Sequence, residues 1–305
     1  LLVDVPLFFF LSGASATFAF KKSNPFSGVL RLIGLFALFY SLYALVYEPE
    51  HFANFLSNSL VVNYPYPPKF EVVSGSTWFI PVFVVVYLIS YLIITHVGSN
   101  KMIPILCFVL LYLIYNYDIF NVFKSLKILS ITPDFVFFYL FFFLLGYYYY
   151  SKLRLLKGIK RLAIGLLMFS VGVVIIHFKN IPFDLQSIKF PPRFFFLVAS
   201  LISVSLVMLF SILIKKEYYI NYVGKNALSF YLTQGIASSI LIGLMPGISL
   251  HWVIKLLLAL IMNLTMTGIF GLVTIFIYKY LVLGLTKSLF VLDNWSYTEI
   301  KKKLN

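Results

Sequence analysis

Long apolar runs separated by short polar stretches dominate the chain, and their length decides what they are. Phe194–Ile214 contains no charged residue, and an uninterrupted apolar run of ~18 residues or more marks a helix that crosses a bilayer. A helix on the surface of a globule needs a polar face, which these runs lack. The pattern predicts nine spans: Asp4–Phe20, Val29–Tyr47, Thr77–His96, Met102–Tyr115, Phe135–Tyr150, Leu162–Phe178, Phe194–Ile214, Ala227–Leu244 and Trp252–Tyr278. The expected fold class is all-α, a polytopic transmembrane helix bundle. With no repeat, heptad or compositional break, residues 1–305 are expected to form a single integral-membrane domain.

Composition sharpens this reading: 61% of the residues are hydrophobic and 11% charged, too little charge to cover the surface of a soluble domain. Aromatic residues, 19% of the chain, gather at span ends, as in Tyr147–Tyr150, where interfacial belts form. The outer connection Glu48–Ser76, which ends in Tyr64-Pro-Tyr-Pro-Pro68, is long enough to be a lid or a short interfacial helix with a polyproline-like strap. Leu1–Phe20 has Asp4 in front and Lys21-Lys22 behind, the reverse of a signal peptide, and reads as a span. The chain opens on Leu1 and its first methionine is Met102, so it is expected to be a fragment lacking an upstream part.

The net charge of +14 would suggest nucleic acid in a soluble protein. Its distribution points elsewhere. When the connections are assigned alternately to two sides of a membrane, 17 of the 24 basic residues fall on one side, and 7 of the 10 acidic residues on the other. By the positive-inside rule the basic side is cytoplasmic, which places the C-terminus inside. The partners implied are membrane lipid and no nucleic acid.

Chemistry-bearing residues are few. The chain has no Gly-rich phosphate loop, no nucleophile elbow and no His or Cys pair at metal spacing, so no metal and no bound cofactor are expected. The lone Cys107 reads as a small buried hydrophobe. His51, His96, His177 and His251 lie at span ends, and none has an acid spaced to orient its ring. At depth the polar groups are uncharged: Ser12, Gly13 and Ser15, then Asn226, Ser229, Tyr231, Thr233 and Gln234, then Asn263 and Thr265. The small residues at 12–16 suit either close helix packing or a substrate tunnel. The Gln234 amide needs hydrogen-bond partners, from a neighbouring helix or a bound polar group.

Five strings in order then carry a resemblance. Pro6-Leu-Phe-Phe-Phe-Leu-Ser-Gly13, Thr77-Trp-Phe-Ile-Pro81, Phe141-Phe-Phe-Leu-Leu-Gly146, Lys189-Phe-Pro-Pro192 and Gly224-Lys-Asn-Ala-Leu-Ser-Phe-Tyr-Leu-Thr-Gln234 resemble segments of the acyltransferase family 3 membrane proteins. The resemblance implies ten helices in the full protein with both ends inside, so a chain lacking the first helix would start outside, as the charge count also has it. It implies transfer of an acyl group, usually acetyl from cytoplasmic acetyl-CoA, to a hydroxyl of a cell-envelope carbohydrate or glycolipid.

The same resemblance assigns residues. Lys21, Lys22 and Arg31 occupy the region of a paired-arginine element and are candidates for the donor's phosphates, although plain topology also explains them. Ser12, Gly13, Trp78 and Asn226 are candidates for a tunnel or acceptor site. The family's catalytic histidine would lie in the missing first helix, and Gln234 stands where the Tyr-Leu-x-His string has histidine. Tyr231, Gln234 and Ser229 therefore remain as candidates for donors to a tetrahedral oxyanion. The rival readings are a multi-pass transporter or flippase and a relative that has lost the reaction. The near absence of charge within the spans speaks against ion-coupled transport.

The charge count makes a direct prediction. In a Cys107→Ser background, Lys157→Cys should react with an impermeant thiol reagent only after the membrane is opened, and Lys69→Cys should react in intact cells. The converse pattern would invert the orientation.

Overall fold

The computed structural model describes residues 4–21, 25–47, 79–98, 102–116, 133–152, 194–210 and 226–289, together with Ala163, Leu166, Leu167, Phe169, Ser170, Val174 and Tyr222. Among them there is no strand. Eight α-helices follow in order: α1 (Asp4–Ala19), α2 (Ser27–Tyr47), α3 (Phe79–Val97), α4 (Met102–Asn116), α5 (Pro133–Lys152), α6 (Phe194–Phe210), α7 (Ala227–Leu244) and α8 (Trp252–Leu289). They coincide with eight of the nine spans expected, with ends shifted by a few residues. The exception is α8, which continues beyond Tyr278 to Leu289. The sixth span, the outer connection 48–76 and Lys189–Pro192 lie largely or wholly outside the described residues.

Two helices, Phe79–Val97 and Trp252–Leu281, are long and apolar enough to cross a membrane, and five shorter helical stretches of 10–17 residues are predominantly apolar. Only 6% of the most apolar window of Trp252–Leu281 is buried. Leu256, Leu260, Ile261, Leu264 and Phe276 are all exposed on it, a larger apolar surface than water tolerates and an ordinary one for lipid. Hydroxyls in these helices fold back on the preceding turn. Ser200 donates to the Phe196 carbonyl at 2.6 Å, Ser205 to Leu201 at 2.7 Å and Thr274 to Phe270 at 2.8 Å, the local solution for a polar group with no water at hand. Ser90, fully buried on α3, has no such partner among the described residues.

The described chain divides into two compact units, Leu1–Leu30 with Phe79–Glu217, and Arg31–Trp78 with Tyr218–Asn305. In the first, α5 is the central helix, packed against α1, α3 and α4. Phe138, Tyr139, Phe142, Phe143 and Leu144 are fully buried on it, as expected of a helix apolar on all sides. Phe9 of α1 stacks on Tyr139 at 4.5 Å toward the helix starts, and Phe20 meets Tyr147 at 6.0 Å toward their ends, so α1 and α5 run in the same direction. Phe8 against Phe79 and Phe20 against Tyr91 give α3 the same sense. These are the first, third and fifth expected spans, which alternation requires to be parallel.

Glycine makes the closest approach possible. A Cβ added to Gly13 would strike the main-chain carbonyl of Phe143, and one added to Gly146 would strike that of Phe10. Each helix therefore presents its glycine to the other's backbone, the small-residue contact on which helix association in lipid relies. Gly98, at φ +73°, ends α3 in the left-handed conformation that favours glycine, and its carbonyl accepts a 3.1 Å bond from the Tyr148 hydroxyl.

In the second unit α7 and α8 form an antiparallel hairpin joined through the 3₁₀ turn Met245–Gly247. Ser238 faces Asn263, Thr233 faces Thr267, and Phe230 covers Gly271. The pairs descend one helix as they climb the other.

The glycine crossing predicts that Gly13→Ala and Gly146→Ala each destabilise the protein by about 1–3 kcal/mol, the cost of forcing packed elements apart. Gly243→Ala, whose Cβ would meet nothing within 4 Å, should be neutral or slightly stabilising. Thermal unfolding in detergent micelles measures all three.

Candidate functional site

α7 carries Ser229, Tyr231, Thr233 and Gln234, and the helix sorts them by face. Asn226 stands at its N-terminal cap with φ −116° and ψ 24°, and its side chain makes no capping bond. Instead its Nδ2 donates to the Tyr222 carbonyl at 3.1 Å, and its own carbonyl accepts from the Ser229 amide at 3.0 Å. Its amide is thus turned back into the preceding segment. Ser229 and Thr233 follow one turn apart, both buried, with the Thr233 hydroxyl donating to the Ser229 carbonyl at 2.9 Å.

Gln234 is exposed and Tyr231 half-buried. Three residues apart, they share a side of the helix, and both carry hydrogen-bond donors. Ser229 is rotated from Gln234 by about 140° at 3.6 residues per turn. The three candidate oxyanion donors therefore do not converge: Tyr231 and Gln234 form a pair, and Ser229 lies in a buried sector.

The seam between α7 and α8 accounts for other polar positions. Asn263 Nδ2 donates to the Ser238 hydroxyl at 2.8 Å, and its Oδ1 accepts from the Thr267 hydroxyl at 3.3 Å. Thr233 reaches the Thr267 carbonyl at 3.4 Å. Thr265, expected with Asn263 as a polar group at depth, is exposed, and its hydroxyl donates to the Ile261 carbonyl at 2.9 Å. Ser238 and Thr267 were not among the expected residues. The signal that points to them is the four-residue spacing from Asn263 to Thr267, which puts an amide and a hydroxyl on one stripe.

In the first unit, Gly13 is taken up by its contact with Phe143, and Ser12 beside it is half-buried. Lys21 is exposed just past α1, and Arg31 is exposed in the second turn of α2, in the other unit. Lys22 and Trp78 lie outside the described residues, as do His51 and His177. His96 is exposed, with Nδ1 2.9 Å from the Leu92 carbonyl and 3.2 Å from the Thr95 hydroxyl. His251 is exposed beside Trp252. Among the described residues no three His, Cys, Asp or Glu side chains come together to hold a metal.

The family model described as an acyltransferase domain matches residues 2–291, nearly the whole chain. The chain belongs to acyltransferase family 3. It matches no curated protein and no solved structure. Within this family-3 chain, two of the strings that carry the resemblance, Leu11-Ser12-Gly13 and Leu144-Leu145-Gly146, meet at one helix crossing. They are brought together in space as a packing device. The family is a membrane-associated one, in keeping with the two long apolar helices.

The α7–α8 seam predicts a measurable coupling. Asn263→Ala and Ser238→Ala should each reduce stability, and the double variant should lose less than their sum by about 0.6 kcal/mol, the usual worth of an interhelical hydrogen bond in lipid. A double-mutant cycle read by unfolding in mixed micelles measures it.

Proposed function

We propose that the protein is a multi-pass membrane acyltransferase moving an acyl group, acetyl by preference, from a cytoplasmic acyl-CoA to a hydroxyl of a cell-envelope carbohydrate or lipid. The observation that carries this reading is the family match over residues 2–291. The donor is thereby a substrate and no resident cofactor is invoked.

In such a transfer the acceptor oxygen loses its proton and attacks the thioester carbonyl, the C–S bond breaks, and the thiol of CoA leaves with a proton. The carbonyl oxygen carries the developing negative charge, and fixed donors in a water-poor site stabilise it most effectively. In this proposal Gln234 and Tyr231 supply those donors from one side of α7. Neither is a base at neutral pH, so the acceptor's proton goes to a different group. Asn226 stands at the same helix end and is assigned to the acceptor, with Ser12 and Trp78 toward the tunnel. Lys21, Lys22 and Arg31 are assigned to the phosphates of the donor, which charge-assisted hydrogen bonds hold well.

Membranes carrying the full chain should release CoA thiol from acetyl-CoA only when the envelope glycan is present, with acetyl label appearing on the glycan. Gln234→Ala should lower kcat by about 100-fold, the effect of removing one oxyanion donor, and leave the KM for acetyl-CoA unchanged. Movement of a glycan or lipid across the membrane without thioester cleavage would decide for a transporter.

A further inference from the structure

Two tyrosines of α3 hold both ends of the connection between α1 and α2. Tyr87 and Tyr91 are four residues apart and share a side of the helix. Phe20, just past the end of α1, sets its ring edge against both, with centroids 5.1 Å from Tyr87 and 5.3 Å from Tyr91. Phe26, just before α2, meets the same two rings at 6.2 and 4.9 Å. Edge-to-face contact is an arrangement that aromatic pairs prefer. Phe20 also meets Tyr147 of α5 at 6.0 Å, and all of these residues belong to the first unit.

Hydrogen bonds fix the main chain at the same two places. The ladder of α2 begins with the Leu30 amide donating to the Phe26 carbonyl at 2.9 Å, which leaves the Pro25 carbonyl one residue before it. The Tyr87 hydroxyl donates to that carbonyl at 2.6 Å. At the other end, the Phe20 amide donates to Ala16 at 2.9 Å and the Lys21 amide to Phe18 at 3.3 Å, a last turn tightened in the manner of a 3₁₀ helix. The main chain of Lys21 is therefore held, while its side chain is exposed. A cation carried on an anchored main chain has less freedom left to lose when it closes on an anion, and binds it more tightly for that reason.

We propose that Tyr87 and Tyr91 are positioning residues for the acyl donor: by gripping Phe20, Pro25 and Phe26 they hold Lys21 where its ammonium meets a donor phosphate. This rests on the acyltransferase reading and its assignment of Lys21 to the donor's phosphates. It adds that the strength of that contact is set from α3, through a hydroxyl bonded to the main chain of the connection.

The full chain in phosphatidylcholine nanodiscs is assayed for acetyl transfer against acetyl-CoA concentration, and its affinity for adenosine 3′,5′-bisphosphate is measured in parallel. Lys21→Gln should raise the KM for acetyl-CoA by about tenfold, as loss of a charge-assisted bond does. Tyr87→Phe keeps the ring and removes only the hydroxyl. It should raise KM by about fivefold with kcat unchanged, within the worth of one hydrogen bond. In the Lys21→Gln background it should add nothing, because its effect passes through Lys21. Tyr91→Leu removes a ring and leaves the hydrogen bond, and should act in the same direction. Ser205→Ala loses an equally short hydrogen bond within α6 of the same unit and should leave KM as in the wild type. Nucleotide affinity should follow KM throughout.

A raised KM in either tyrosine variant that vanishes in the Lys21→Gln background supports the proposal, so one of the two suffices if the other does not fold. Wild-type KM and affinity in both overturn it, as does an effect undiminished by Lys21→Gln or matched by Ser205→Ala. In those cases acetyl transfer by the wild type leaves the acyltransferase reading standing. A wild type that transfers no acetyl, yet binds the bisphosphate with the stated dependence on Tyr87 and Lys21, sinks the acyltransferase reading and keeps the positioning role. A wild type that neither transfers nor binds removes both.

Discussion

Two helices can associate in hydrocarbon only by coming close, because lipid offers no hydrophobic reward for burying a leucine that was already in oil. The contact between Gly13 and Gly146 meets this constraint in the first unit. Each glycine lies against the main chain of the other helix, and the aromatic rings of Phe9, Phe20, Tyr139 and Phe143 close around the crossing. With α5 held this way, α3 packs along it in the same sense as α1. The second unit solves the same problem with polar groups: Asn263 links two hydroxyls across a hairpin, and Gly271 makes room for Phe230.

Much of this architecture was legible in the sequence, because in a membrane hydrophobic length alone defines an element. The apolar run Ala227–Leu244 predicts both ends of α7. The end of α8 was placed at Tyr278 because Lys279 was read as the first residue of a loop. A single lysine near a helix end does not stop the backbone, since its long stem carries the charge to the interface. The parallel course of α1, α3 and α5 followed from alternation and is seen in their ring contacts.

The candidate site was less legible, for a physical reason. A string such as Leu-Ser-Gly records that small residues are needed at a position and leaves open whether a helix or a ligand fills the space. At Gly13 the space is filled by Phe143. In the same way, Ser229, Tyr231 and Gln234 are close in sequence, and only helical rotation separates the buried hydroxyl of Ser229 from the other two.

The length of α8 has a mechanical consequence. The apolar stretch Trp252–Leu281 spans 30 residues, about 45 Å at 1.5 Å per residue, against ~30 Å of hydrocarbon. Such a rod cannot stand upright without pushing apolar side chains into water; it leans, and a thinner bilayer makes it lean further. Its companion α7 has 18 residues, about 27 Å by the same measure. The hairpin thus joins a short helix to a long one, and bilayer thickness becomes a variable that sets how deep the basic end of α8 rides.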